Sequence, residues 1–286
     1  MTFSIVAHDG ALDWGIAVAS KFPACGSVVP WARAGAGAVA TQALANVSFG
    51  LDALQRMERG DAAADVLGVL VAADEGRGQR QIGAVDATGA SASFTGDECI
   101  EWAGGTTGHG FACQGNILVG PEVIDGMSRA FTEAGGDLVD RLLVALLAGD
   151  AAGGDRRGKQ SAALLVVRDA GGYGGRNDRY IDLRVDDHED PVNELARIFK
   201  VFDDEYLVRD DPLIDATSEL VTRLQRGLRE TGDLTADPTG ELDEATRTAL
   251  ERFAGRFNLE AKVRDDDQLY RSLVREIEEA SGLDGE

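Results

Sequence analysis

A chain of 286 residues, 44% of them hydrophobic, is long enough for one medium and one small domain, and this composition excludes bulk disorder. Its 50 acidic against 28 basic residues give a formal net charge of −22, which would repel nucleic acid and anionic membranes. No apolar run reaches the roughly 18–20 residues that span a bilayer, and the start lacks the basic and apolar stretches of a signal peptide, so a cytoplasmic protein is expected.

Residues 2–7 and 14–20, with "HDGALD" turning between them, read as a β-hairpin. "SVVPWARAGAGAVATQ" predicts further short strands, with Pro30 marking an edge or a bend. "SFGLDALQRMERG" and "DAAADVLGVLVAAD" carry helical periodicity, and "QRQIGAVDATGASASFTG" reads as a hairpin turning at "DATGA". A strand, "GFACQGNILVG", precedes two helices, "PEVIDGMSRAFTEAG" and "DLVDRLLVALLAGDAAGG". Two strands, "SAALLVVRD" and "YIDLRVDD", and a helix, "PVNELARIFKVFDDEYLVRD", follow. Strands in hairpin runs, segregated from paired helices, predict an α+β protein with two antiparallel sheets and helices outside them. The first domain is expected over residues 1–205 and an all-α domain over 206–286, with the charged, Pro212-containing "VRDDPLIDA" as linker and helices alone from residue 213 onward.

Lysine is confined to Lys21, Lys159, Lys200 and Lys262. Acid excess with so little lysine resembles proteins of salt-accumulating, halophilic microbes, where a Debye length of about 3 Å at molar salt screens surface self-repulsion. Cys25, Cys99 and Cys113 have no C-x-x-C spacing, and His8, His109 and His188 are scattered, so neither a disulfide framework nor a metal site is expected. Two phosphate-loop patterns fail on context. Gly35-Ala36-Gly37-Ala38-Val39-Ala40 fits G-x-G-x-x-A but continues into the strand-like "AVATQ". Gly153 to Lys159 fits G-x-x-x-x-G-K, yet Gln160 follows where magnesium needs Ser or Thr, and the loop runs from helix to strand. No cofactor is expected.

The start of the chain is more specific. Thr2 is small, so Met1 is expected to be removed, which exposes an α-amine. Such an amine has a pKa of about 7.7–8.0, against about 10.4 for lysine, and its neutral form can take the proton of the adjacent hydroxyl. That arrangement activates a nucleophile without histidine. The alternative is that Thr2 simply begins an edge strand.

"TFSIVAHDGALDWGIAVASKFPACGSVVPWARAGAGAVATQALAN", "FACQGNILVGPEVIDGM", "AGGDRRGKQSAALLVVRD" and "YGGRNDRYIDLRVDDHEDPVNELARIF" resemble the domain-of-unknown-function 1028 family over about residues 1–205. The resemblance implies a four-layer αββα sandwich of the N-terminal nucleophile (Ntn) hydrolase type. More distantly, the chain is similar to proteasome β-type Ntn hydrolases, which places Thr2 at the nucleophile. Ser20 then stands where those enzymes carry an acid, with Lys21 close behind it. Asp155 matches an aspartate that orients the nucleophile's amine, while Gly158 replaces a serine. These two departures point away from peptide cleavage and leave simple amide hydrolysis.

Physical needs assign the remaining candidate roles. Lys21, if buried beside Thr2, would lower the nucleophile's pKa as a neighbouring cation; otherwise it is a surface lysine. Backbone N–H groups of residues 35–41, or the amides of Asn46 or Asn116, are candidates to stabilise an oxyanion. Thr41, Gln42, Ser20, Gln160 and Ser161 are candidates for oxyanion or substrate binding, although Ser161 equally suits the start of its strand. Asp155 either fixes the Thr2 ammonium or caps a turn with Arg156 or Arg157.

The segment "LVTRLQRGLRETGDLTADPTGELDEATRTALERFAGRFNLEAK" resembles peptidoglycan-binding domains. With no secretion signal expected, a packing or oligomerisation role fits it better than binding to a wall. The expected function is therefore an Ntn-type amidohydrolase acting on a small ureido or amide compound. The alternative is a catalytically silent binding or assembly protein that keeps the fold. In either case a small-molecule ligand and a homo-oligomer are expected, without nucleic acid or membrane as partner.

Overall fold

The computed structural model describes residues 2–207, 209 and 211–283. Met1, whose removal the sequence reading requires, lies outside them, as do Val208 and Asp210 of the expected linker. The chain divides into two compact units, Met1–Arg197 and Ile198–Glu286.

In the first unit, β1 (Thr2–His8) and β2 (Trp14–Ser20) form the predicted opening hairpin, and every residue of both is buried. Neither strand alternates in exposure, because both faces of their sheet are covered. The segment with the dinucleotide-like pattern folds as an antiparallel hairpin, β3 (Pro30–Arg33) and β4 (Gly37–Ala43). Pro30 lies on an edge strand, where its missing N–H need not leave a gap in the ladder. Helices α1 (Ser48–Met57) and α2 (Ala63–Ala73) precede the hairpin of β5 (Arg80–Asp86) and β6 (Ser91–Thr95). The sequence reading misses β7 (Gly104–Gly108), whose "GGTTG" has no apolar alternation and owes its shape to pairing with β8 (Phe111–Asn116). Then come α3 (Glu122–Glu133), α4 (Leu138–Ala151), β9 (Ser161–Val167) and β10 (Arg179–Val185), and the unit ends within α5 (Pro191–Glu205), a helix that stops short of its predicted end.

These strands make two antiparallel sheets, ordered β10-β9-β2-β1-β8-β7 and β3-β4-β5-β6. Val6, Ile16 and Val18 from the larger sheet share one apolar cluster with Ala38, Ala40 and Val85 from the smaller. On the opposite face of the smaller sheet, Val39, Ile82 and Ala84 pack with Phe49, Leu54, Met57 and Leu67 of α1 and α2. Helices α3 and α4 pack on the larger sheet. Gly149 of α4 lies so close to Phe3 and Met127 that a Cβ there would sit 2.7 Å from Met127 Cγ and 3.1 Å from Phe3. The first unit is thus a mixed α/β structure with antiparallel sheets, and Thr2 opens a central strand.

The second unit overturns the expectation of helices alone. Besides α6 (Ser218–Glu230) and α7 (Glu244–Phe257), it contains a two-stranded ladder, β11 (Leu213–Asp215) with β12 (Gln268–Tyr270), before α8 (Arg271–Ser281). Each strand is three residues long and has its partner far along the chain, so neither leaves a local signal. Leu224, Leu228, Leu250, Phe253, Leu273 and Ile277 fill the core of this unit. Among the described residues no helix is long and apolar enough to cross a membrane.

Candidate active site

The strand register builds the site. Thr2 pairs with Asn116 on β8; Phe3 pairs with Ala19, which sets Thr2 beside Ser20 on β2; and Ser20 pairs with Ser161 on β9. Asn116, Thr2, Ser20 and Ser161 therefore form one polar row across four adjacent strands, and all four are buried. Thr2 Oγ1 lies 3.1 Å from Ser20 Oγ. Because strand side chains alternate between faces, Thr2 shares its face with Ser4 and Val6, the face that meets the smaller sheet.

A network of neutral amides and hydroxyls continues from this row. Gln114 Nε2 donates to Ser4 Oγ at 2.7 Å, and Ser4 Oγ donates to Gln42 Oε1 at 2.7 Å. Gln42 Nε2 donates to Gln81 Oε1 at 2.9 Å and lies 3.4 Å from the carbonyl of Thr2. Gln81 Oε1 also accepts from Asn116 Nδ2 at 2.8 Å, and Gln81 Nε2 donates to Thr95 Oγ1 at 2.9 Å and to the carbonyl of Gly115 at 2.7 Å. Gly83 makes room for the network, since a Cβ there would stand 1.9 Å from Gln114 Oε1. Ser4, Gln81 and Gln114 escaped the sequence reading. Their signal was available as glutamines and a serine inside otherwise apolar strands.

Thr2, Ser20, Asn116, Ser161 and Gln42 thus come together, while other candidates go elsewhere. Lys21 is exposed, and its ammonium donates to the carbonyl of Lys159 at 3.1 Å, so it is a surface lysine and not a buried cation beside Thr2. Alternation along the strand explains this, since the residue after inward-facing Ser20 faces away. The carboxylate of Asp155 is engaged by the backbone N–H groups of Lys21 and Arg157, each at 2.9 Å, and by the Arg157 guanidinium at 3.3 Å. It pins the end of β2 to the loop after α4. Asn46 gives its amide to Asp74 Oδ2 at 3.1 Å and accepts from Ser48 N–H, which places it at the start of α1. Thr41 Oγ1 donates to the carbonyl of Asn46 at 3.1 Å. The segment proposed as an oxyanion strand is largely β4, paired on both flanks by β3 and β5. Gln160 donates to Asp187 at 3.2 Å, and Ser161 Oγ bridges the carbonyl of Phe22 and the N–H of Cys25. Burial pushes the Cys25 thiol up to about 11, which suits an unreactive core residue.

A cavity of about 350 Å³ opens beside the row, and Asn116 is part of its lining. Ala43 and Ile117, at the ends of β4 and β8, also line it, and both hold left-handed backbone with φ of 65° and 51°. For β-branched Ile117 this is an outlier of the kind that clusters at functional sites. Among the described residues no group of three or more His, Cys, Asp or Glu could hold a metal ion.

Fold and register define a mixed α/β protein with a buried hydroxyl and amide row at the start of its central strand. The family described as "Family of unknown function (DUF1028)" matches residues 2–195, and the chain belongs to it. A second description, "Putative peptidoglycan binding domain", matches residues 206–276. The crystal structure of protein SPO2555 from Silicibacter pomeroyi, assigned to DUF1028, is similar at 31% identity and a TM-score of 0.64, covering 71% of this chain and 89% of that one. No curated protein matches the chain.

Proposed function

We propose that the first unit is a four-layer αββα hydrolase of the N-terminal nucleophile type, cleaving a non-peptide C–N bond in a small ureido or amide compound. The observation that carries this reading is Thr2 at the head of a fully buried central strand, with Oγ1 3.1 Å from Ser20 Oγ and its strand partner Asn116 lining the cavity. Once Met1 is removed, the α-amine takes the Oγ1 proton while the oxygen attacks the carbonyl carbon. Asn116 Nδ2, held by Gln81, has a second proton to offer the oxyanion. The C–N bond then breaks, the ammonium returns its proton to the leaving nitrogen, and water hydrolyses the Thr2 ester with the same amine as base. Ser20 orients the hydroxyl, and Asp155 acts as a positioning residue by fixing the end of β2.

The exposure of Lys21 removes one expected activator and favours the competing reading of a silent binding protein. Intact-mass analysis of the purified chain alongside turnover of a ureido and amide panel separates them. Loss of Met1 with turnover supports the hydrolase, whereas a retained Met1 in a protein that turns over substrate excludes the free-threonine mechanism. We also propose that residues 1–205 carry the chemistry and residues 206–286 serve packing or self-association in the cytoplasm. Light scattering of the full chain, with a peptidoglycan sedimentation assay, tests that division.

A further inference from the structure

The cavity beside Asn116 has a composition that selects its occupant. Leu44, Ile100 and Ile117 give it apolar walls, and Glu98 contributes a carboxylate. Leu44 and Ile100 are large hydrophobic residues left 61% and 59% exposed, as at a lip that a ligand's hydrocarbon covers. The N–H of Glu98 bonds the carbonyl of Gly78 at 2.7 Å, and its side chain lies over Gly78, where a Cβ would meet Glu98 Oε1 at 3.0 Å, next to Gln79 of the cavity lining. Arg77 and Arg80, on either side of Gly78 and Gln79, are engaged elsewhere. Arg80 Nε donates to Asp74 Oδ2 at 2.9 Å, its Nη1 donates to the carbonyl of Leu44 at 2.7 Å, and Arg77 Nη1 turns to the carbonyl of Asp74. Arg80 and Asn46 hold the Asp74 carboxyl down to about 2, so Asp74 stays ionised and offsets Arg80. A carboxylate at an apolar cavity, in a chain of net charge −22, selects cations and repels anions.

We infer that this cavity takes a small ligand with an apolar body and a cationic or N–H-rich head, such as an alkylguanidinium or alkylammonium group, and that Glu98 reads the head. As a statement about substrate class it rests on the hydrolase reading, since it makes the substrate an amide with a basic side chain. As a statement about binding it stands without that reading.

The test uses the full chain and three unreactive probes of similar size: n-butylguanidinium, butanamide and butyrate. Titration calorimetry should show n-butylguanidinium binding best and butyrate worst. Glu98→Gln should weaken n-butylguanidinium about five- to tenfold, the loss of one charge-assisted bond, and leave butanamide unchanged. Glu98→Lys should reverse the order of cation and anion. Glu75→Gln, an exposed acid outside the cavity, should do nothing. Cys99 locates the bound probe, because it lines the cavity half-buried while Cys25 and Cys113 are fully buried. Alkylation of Cys99 should slow when n-butylguanidinium is present. Equal binding of cation and anion, or an unchanged affinity in Glu98→Gln, overturns the inference. If n-butylguanidinium binds as expected but 4-guanidinobutanamide is not cleaved by a chain that has lost Met1, the pocket stands and the hydrolase reading falls.

Discussion

Each unit holds a buried polar cluster, and the two clusters differ in charge. Between its sheets the first unit buries neutral groups: Ser4, Gln42, Gln81, Gln114 and Asn116, each engaged with another of them. The second unit buries a formal charge. Lys262 is only 2% exposed; its ammonium lies 3.1 Å from Asp211 Oδ2, donates to Ser272 Oγ at 2.8 Å and also reaches the carbonyl of Asp204. Ser272 in turn bonds Asp211 through both its hydroxyl and its N–H. Neutral amides hold a surface in register without a net charge, while their oriented dipoles suit the charge that would develop in the proposed reaction. A buried ion pair resists the loss of either partner, because the other charge is then left buried and unpaired.

The largest effect expected is at the head of the neutral row. Thr2→Ala should lower kcat on the order of 10⁴-fold on any substrate the parent cleaves, with a stability cost near about 1 kcal/mol for the lost hydroxyl contact. Equal activity in mutant and parent would remove Thr2 as nucleophile and leave the row a structural feature. Next, Gln81→Ala strips the acceptor shared by Gln42 and Asn116 and should cost about 2–4 kcal/mol in urea unfolding. A cost below about 1 kcal/mol would mean that the network relaxes around the gap.

Lys262→Met should cost about 2–3 kcal/mol at neutral pH, since it leaves the Asp211 carboxylate buried without its cation. Burial raises the Asp211 pKa, but Ser272 and Lys262 outweigh it and hold the carboxyl below its ordinary value. A depressed carboxyl stabilises the fold above its unfolded pKa, about 3.9, and loses that contribution as pH falls through the lower folded value. The cost of Lys262→Met should therefore be full above about pH 5 and shrink below about pH 4. That of Gln81→Ala, where the interacting side chains are neutral, should stay level across the same range, so parallel pH profiles would erase the contrast between the units. Smallest of all, Lys21→Ala should change stability by less than about 0.5 kcal/mol and leave turnover within about twofold, as expected for an exposed lysine. A large loss of activity would restore Lys21 as an activator reached in a different side-chain conformation.

Much of the first unit was legible because its hairpins carry local turn signals, "HDGALD" and "DATGA", between strand-forming runs. Elements shaped only by distant partners were not legible: β7 beside β8, and β11 with β12. The same divide runs through the site. Thr2, Ser20, Asn116 and Ser161 lie at the ends of strands and could be read one by one, although their gathering into a row is a matter of register. For Lys21 the sequence leaves a buried cation or a surface lysine, and strand alternation selects the second; Asn46, a candidate for the oxyanion, is claimed by a helix start. Gln81, Gln114 and Glu98 gain meaning only when two sheets and a loop converge, which no local window contains.

The central position of β1 also has a consequence for synthesis. Its hairpin with β2 is complete within the first twenty residues, yet its flanks close only when Gly115 arrives beside Phe3 and Ser161 beside Ser20. Until then a ribbon meant to be buried on both faces carries two open edges, the condition in which incomplete sheets pair with the wrong neighbour. The delay is built into the topology: both edges of the hairpin wait for strands that lie about a hundred residues or more further along the chain.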